Sequence, residues 1–432
     1  MKKSILNYLV IAAVLVLVAF SGCNKEKKGS GSGTIGTIKW SIKKSTLTIS
    51  GSGAMQDFDG AQGPPWGSDE FSTVIIKSGV TSIGNSAFCQ NWSITSVSIP
   101  NTVTTIGDYA FYWCEKLSSI DIPNSVTKIG SSAFGNCRGL TGNLTIPNSV
   151  TSIGDLAFEG CSSFNGNLTI GNSVKTIGND AFAGCRGLIG SLTIPNSVIT
   201  IGESAFNACT GLTGNLTIPN SVTSIGEHAF WDCNGFTGNL TIGNSVTSIG
   251  YSAFGNCSGF TGNLIIPESV TTIGESAFRG CSGLTLITIP ENVKSIGKEA
   301  FSGCSGLQTV NFNAINCTDM YGYFVWDGCG SLKTLNIGNK VQTIPYYGFA
   351  NCSGLTSITL PNSVITMEEG AFWGCSGLTL ITNLNPIPVA INIYVFGEVN
   401  ISACTLKVPA TAVEAYKQAD VWKYFNVVSI EN

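Results

Sequence analysis

A single histidine and sixteen cysteines are the groups in this 432-residue chain with natural acid–base, nucleophilic or soft-metal chemistry near neutral pH. The histidine, His228, sits in Glu227-His228-Ala229-Phe230, at a position where neighbouring copies of the same phrase carry Ser, Tyr, Leu, Asp or Glu. It therefore reads as a surface variant. A Ser-His-Asp set would have to use it, and no supporting constellation accompanies it. Asp155, Glu203, Glu227 and Glu275 recur at one position of the phrase and read as first-turn residues that favour a helix start. Paired carboxylates for glycoside chemistry need a cleft about 5 to 10 Å across, which a regular ladder does not offer. There is no C-x-x-C pair and no phosphate-cradling glycine motif. The expectation is a protein without catalytic residues, metal site or cofactor.

The cysteines follow a rule. Twelve, from Cys114 to Cys375, fall three residues after a recurring aromatic. One cysteine per coil at a fixed phase makes a buried column that a small apolar side chain fills well. Stacked neighbours about 4.8 Å apart lie within reach of a disulfide, but parallel side chains give it a poor dihedral. Free thiols are expected. Cys89, Cys317 and Cys404 lie off the column and receive no role.

What must position these groups is a repeat. A phrase close to S-V-T-S-I-G-x-x-A-F-x-G-C returns every 23 to 25 residues from about Val80 to Phe396, with Trp326 once replacing its phenylalanine. Units of this length cannot bury a core alone, but stacked neighbours can, so the chain should be a solenoid. Leu355, Ile358 and Leu360 give the strand of one coil, and Pro361 ends it. Val364 and Met367 turn inward, and Ala371-Phe372 should lie on a short helical turn. The column after the isoleucine is usually glycine (Gly107, Gly130, Gly154, Gly202, Gly274), yet Pro345 shares it. Proline cannot take positive φ, so close packing or a helix start explains that glycine better than left-handed backbone. About fourteen coils at ~4.8 Å each would span some 65 Å.

With Leu and Ile pointing inward, Asn143, Asn167, Ser191, Asn215, Asn239 and Asn263 align on the outer side of the sheet. Thr145, Thr169, Thr193, Thr217 and Thr241 form a second column beside them. This face is neutral and rich in hydrogen-bonding groups. It reads either as a surface for a protein or glycan ligand or as a β-compatible filler ladder. The coil containing Asp319, Tyr321 and Tyr323 departs from the phrase and is a candidate binding loop. Tyr112, Trp113, Trp231 and Trp373 follow the core aromatic directly and are expected to be half-buried. Charged residues are 11% of the chain, with 22 basic against 26 acidic. No basic cluster lies in the repeats, so nucleic acid is not an expected partner.

At the start, Lys2 and Lys3 precede an apolar run from Tyr8 to Phe20, and Ser21-Gly22-Cys23 closes it. That run is shorter than the ~20 residues a membrane span needs. Residues 1–22 read as an export signal, and Cys23 resembles the acylated cysteine of a bacterial lipobox. Residues 23–33 form a polar, glycine-rich tether. Residues 34–70 should cap the solenoid with a hairpin around Lys43-Lys44-Ser45, residues 71–400 are the coils, and residues 401–432 are a second cap. There Val413, Tyr416, Ala419 and Trp422 recur at helical spacing.

Over roughly residues 71 to 400 the repeated phrase resembles the BspA-like leucine-rich-repeat family of bacterial surface proteins, leucine-rich repeats of type 5. Trp40-Ser41-Ile42…Leu47-Thr48-Ile49-Ser50-Gly51 and Val408-Pro409-Ala410…Trp422 resemble flanks common in such proteins. The resemblance implies a leucine-rich-repeat solenoid with a parallel sheet on one face, short helical turns on the other and caps at both ends. It also implies a non-enzymatic cell-surface protein, lipid-anchored to the outer membrane and used in adhesion to host or bacterial surface macromolecules. A structural, or glycan- and nutrient-capturing, lipoprotein within an envelope complex is the alternative.

Overall fold

The computed structural model describes residues 31–58, 63–67, 71–317, 319–320 and 324–430. Residues 1–22, read as an export signal, and Cys23 lie outside the described residues. The chain divides into two compact units, residues 1–189 and 190–432. Each is a parallel-strand solenoid.

In the first unit Ser32–Ile35 pairs antiparallel with Ile38–Lys43, which pairs antiparallel with Thr46–Gly51. The chain reverses at Lys44, whose φ is +54°. The first strand begins inside the stretch expected to be tether, because Ser32 and Gly33 lie opposite Ser41 and Trp40. Thr46–Gly51 then runs parallel to Thr73–Ile76, and that strand to Ser96–Ser98. Further on, Leu144–Thr145 pairs in register with Leu168–Thr169. In the second unit eight parallel strands follow one another from Gly262–Ile265 to Asn426–Ser429. Segments expected only to cap thus continue the coil at both ends, giving about sixteen turns instead of fourteen. At the C-terminal end a short helix, Val413–Gln418, buries Tyr416, and Trp422 is fully buried beside it.

A second ladder comes from the S-I and T-I pairs of the repeated phrase. Val80–Ile83, Thr105–Ile106, Lys128–Ile129, Ser152–Ile153 and Thr176–Ile177 run parallel in the first unit. Thr200–Ile201, Ser224–Ile225, Ser248–Ile249 and Thr272–Ile273 do so in the second. Two strand columns therefore link neighbouring coils, where one was expected, although residues 118–122 form no strand in the first.

The turn face differs from the sequence reading. The segment around Ala-Phe is not helical but a chain of overlapping β-turns. In one coil Ala87 N–H donates to Gly84 O, Cys89 N–H to Ser86 O and Asn91 N–H to Phe88 O. The alternate N–H groups donate to the next coil, from Ser86 to Asp108 O, Phe88 to Ala110 O and Gln90 to Tyr112 O. That alternation requires two left-handed residues four positions apart. They are Ser86 and Gln90, Tyr109 and Trp113, Ser132 and Asn136 in the first unit, and Ser204 and Ala208, His228 and Asp232 in the second. Helical bonding would satisfy these groups within one coil; here stacking satisfies half of them.

The glycine after the isoleucine is a close-packing residue. A Cβ on Gly130 would lie 2.6 Å from Gly107 C and from Asp108 N of the preceding coil. Inside, the phenylalanines stack face to face. Phe111–Phe134 and Phe134–Phe158 are both 5.3 Å apart in the first unit, and Phe230–Phe254 is 5.4 Å in the second. Trp66 extends one column by stacking on Phe88, and its indole N–H donates to Ala87 O. Trp326 replaces a phenylalanine and finds Gly348 O for its N–H. A buried tryptophan requires such an acceptor.

The cysteine column is built from buried thiols that act as donors. Cys114, Cys137 and Cys161 each donate S–H to the carbonyl of the preceding coil's phenylalanine, at 3.0 to 3.2 Å. Cys233, Cys257 and Cys281 do the same in the second unit. Burial pushes these thiols up, Cys281 to about 12. The column is thus a hydrogen-bonded spine of unreactive groups.

Candidate functional site

The outer strand face carries the columns read from the sequence. Asn143, Thr145, Asn167 and Thr169 are exposed in the first unit, while Leu144 and Leu168 between them are buried. In the second unit Thr193, Asn215, Thr217, Asn239, Thr241 and Asn263 are exposed in the same way. The threonines stand side by side, Thr145 opposite Thr169 and Thr217 opposite Thr241.

The two columns differ in what they leave for a ligand. Asn143 Oδ1 accepts the backbone N–H of Asn167, and Asn215 Oδ1 accepts that of Asn239, both at 2.8 Å. The side-chain oxygens of Asn143 and Asn215 thus hold coils together, a role the sequence reading did not assign. The threonine column is the freer of the two.

A groove of about 350 Å³ opens on the strand face farther along the second unit. Its floor is Leu335 and Ile358, and exposed Thr334, Asn336, Ser357 and Thr359 line it beside Lys333 and Leu384. The sequence reading passed over it because these coils drop the G-N-L-T-I wording. The outward polar residues one and three before the last apolar position, Asn336 and Thr334 or Thr359 and Ser357, were the available signal.

Of the candidate loop, Asp319–Met320 is a strand that pairs parallel with Ser295–Ile296. The departure from the phrase therefore still extends the second ladder by one strand, which is the last of that sheet. Tyr321 and Tyr323 lie outside the described residues.

Tyr112, Trp113, Trp231 and Trp373 are half-buried. Three of them cover a glycine in the equivalent place one coil on. A Cβ at Gly135 would meet Tyr112 at 3.0 Å, one at Gly255 would meet Trp231 at 3.0 Å, and one at Gly397 would meet Trp373 at 2.1 Å. Arg138 lies over the Trp113 ring at 5.2 Å. These aromatics fill space left by small neighbours.

The carboxylate position also serves the stacking. Asp108 Oδ1 accepts Ser131 N–H and Asp155 Oδ1 accepts Asn179 N–H, so these residues tie coils together instead of starting helices.

Residues 67–418 are covered by successive matches to the BspA type leucine rich repeat region, at 67–188, 140–261, 212–324, 260–379 and 317–418. The chain belongs to the BspA-type leucine-rich-repeat family. Its coils are similar to a leucine-rich repeat protein of Bacteroides ovatus, at 27% identity and a TM-score of 0.62, over 92% of this chain and 100% of that one. A leucine-rich repeat protein of Eubacterium ventriosum is 25% identical over 78% of this chain and 92% of its own, with a TM-score of 0.43. A leucine rich cell surface protein of Faecalibacterium prausnitzii is 24% identical over 94% and 96%, with a TM-score of 0.38. No curated protein matches this BspA-type chain. Among the described residues no helix is long and apolar enough to cross a membrane.

Proposed function

We propose that this BspA-type protein is exported, held at the outer membrane by lipid on Cys23, and displayed at the cell surface. There its solenoid binds a host or bacterial surface macromolecule, and the function is adhesion. The observation that carries the reading is the in-register, exposed and uncharged threonine column above a fully buried Leu/Ile layer. Such a face offers hydroxyl donors and acceptors at a regular spacing, with no charge to desolvate. It suits an extended polypeptide or glycan whose own groups repeat across the strands, from coil to coil.

The anchoring half is tested by labelled fatty acid. Incorporation into the wild type that disappears in Cys23→Ser supports it, and equal labelling of both removes it. The binding half is tested by presenting the protein, at physiological salt, to matrix proteins, plasma proteins and glycans. Saturable binding to a protein supports adhesion. Binding confined to glycans moves the protein to the capture class, and absence of binding from a folded sample removes both.

A further inference from the structure

His228 is the chain's sole histidine, and the structure gives it company that the sequence reading did not foresee. Glu203 and Glu227 occupy the same position in consecutive coils, 24 residues apart, and His228 follows Glu227 directly. Glutamate is one methylene longer than the aspartates that cap neighbouring coils elsewhere. These two carboxylates project until one ligand atom from each, and one imidazole nitrogen of His228, all lie within 4.8 Å of one another.

The imidazole is held in place. The main-chain N–H of His228 donates to Tyr251 O at 2.7 Å, and its main-chain carbonyl accepts the Trp231 N–H at 2.9 Å, which fixes the backbone that carries the ring. The ring meets Tyr251 edge-on at 4.8 Å and Trp231 edge-on at 6.4 Å. Packing therefore fixes the ligating group before any ion arrives, which is the condition for a usable site.

The local field has one sign. From residue 187 to 278 the sequence holds five acidic residues (Glu203, Glu227, Asp232, Glu268, Glu275) and neither lysine nor arginine. Two carboxylates so close repel each other, and a dication between them removes that repulsion.

We infer that Glu203, Glu227 and His228 form a binding site for a divalent transition-metal ion of the zinc class, bridging two adjacent coils. The two carboxylates are hard oxygen donors and the imidazole a borderline nitrogen donor, a mixed set of the kind that zinc takes. They favour Zn2+ over Mg2+ or Ca2+, which take all-oxygen shells, and three protein ligands leave a position for water or a partner's donor. The site does not depend on adhesion being the function.

The test is calorimetric titration of the whole protein with Zn2+ alone, against His228→Ala and Glu203→Gln, with Glu275→Gln as a control from the same column. One ion per chain is expected, with each ligand variant at least about tenfold weaker and the control unchanged. Cobalt substitution separates this site from the cysteines. Weak visible bands without thiolate charge transfer fit imidazole and carboxylate ligands, whereas a thiolate band assigns the ion elsewhere and overturns the proposal. Titration of the His228→Ala protein indistinguishable from wild type, with both shown folded by circular dichroism, overturns it as well. The single imidazole resonance in proton NMR gives an independent readout. It shifts with one equivalent of Zn2+ if His228 ligates, and stays put if it does not.

Discussion

Raising the pH should weaken this protein through its cysteine spine, and Cys281→Ala isolates one thiol's share. Cys281 is fully buried and donates S–H to Phe254 O at 3.1 Å, and burial lifts it from an ordinary 9.0 to about 12. The folded state thus keeps a proton that the unfolded chain releases above pH 9. A raised folded value means that the stabilisation is intact below the unfolded value and is lost as pH climbs toward the folded one. Between pH 8 and 10 the unfolded thiol gains about 1.4 kcal/mol from ionising and the folded thiol almost nothing. At pH 8 the alanine variant, lacking one buried sulfur and its hydrogen bond, should be less stable by about 1–2 kcal/mol. At pH 10 the gap should shrink by about 1.4 kcal/mol and nearly close. Urea unfolding of both proteins under reducing agent measures it, and lysine and tyrosine titrations cancel in the difference. A gap that stays constant or widens from pH 8 to 10 would refute the buried, protonated spine.

Two further changes probe the stacking. Phe254 is fully buried between Phe230 and Phe278, at 5.4 and 5.3 Å. Phe254→Ala should cost about 3–5 kcal/mol in urea unfolding, and a loss under 1 kcal/mol would show that the column is loosely packed. Glycine and alanine should exchange with opposite signs at two columns. Gly226→Ala puts a Cβ 2.6 Å from Gly202 C, so it should destabilise by about 1–3 kcal/mol. Ala208→Gly relieves a left-handed alanine at φ +56° and should stabilise by about 1 kcal/mol in thermal or urea unfolding.

Much of the coil was legible because side-chain type alone carries it. Leu144 buried beside exposed Thr145 is a period-two pattern, and the Cys114–Cys137–Cys161 column follows from spacing. Pro345 in the glycine column correctly pointed to packing and away from left-handed backbone there. The real left-handed columns were harder to see. One holds Asn136, Gly160, Ala208, Asp232 and Asn256, whose Gly/Asn/Asp bias was the signal. The other holds Ser86, Tyr109, Leu156 and His228, which show no such bias, because bonds to the next coil impose the conformation. The second strand ladder was hidden for a similar reason. A two-residue strand such as Ser152–Ile153 is too short to show alternation. The meeting of Glu203, Glu227 and His228 lay in a spacing of 24 and 25 residues, which matters only once coils are stacked in register.

The central claim is that the outer strand face holds the ligand. It is tested most directly by measuring binding after arginines are placed on one strand column or the other. Thr217→Arg with Thr241→Arg crowds and charges the exposed outer column. Thr223→Arg with Thr247→Arg does the same beside the second ladder, on residues equally exposed. The account predicts that the first pair abolishes saturable binding to the macromolecule identified among the matrix proteins, plasma proteins and glycans, while the second pair leaves it within about twofold, under 0.5 kcal/mol. Binding that survives the first pair and fails with the second would contradict it.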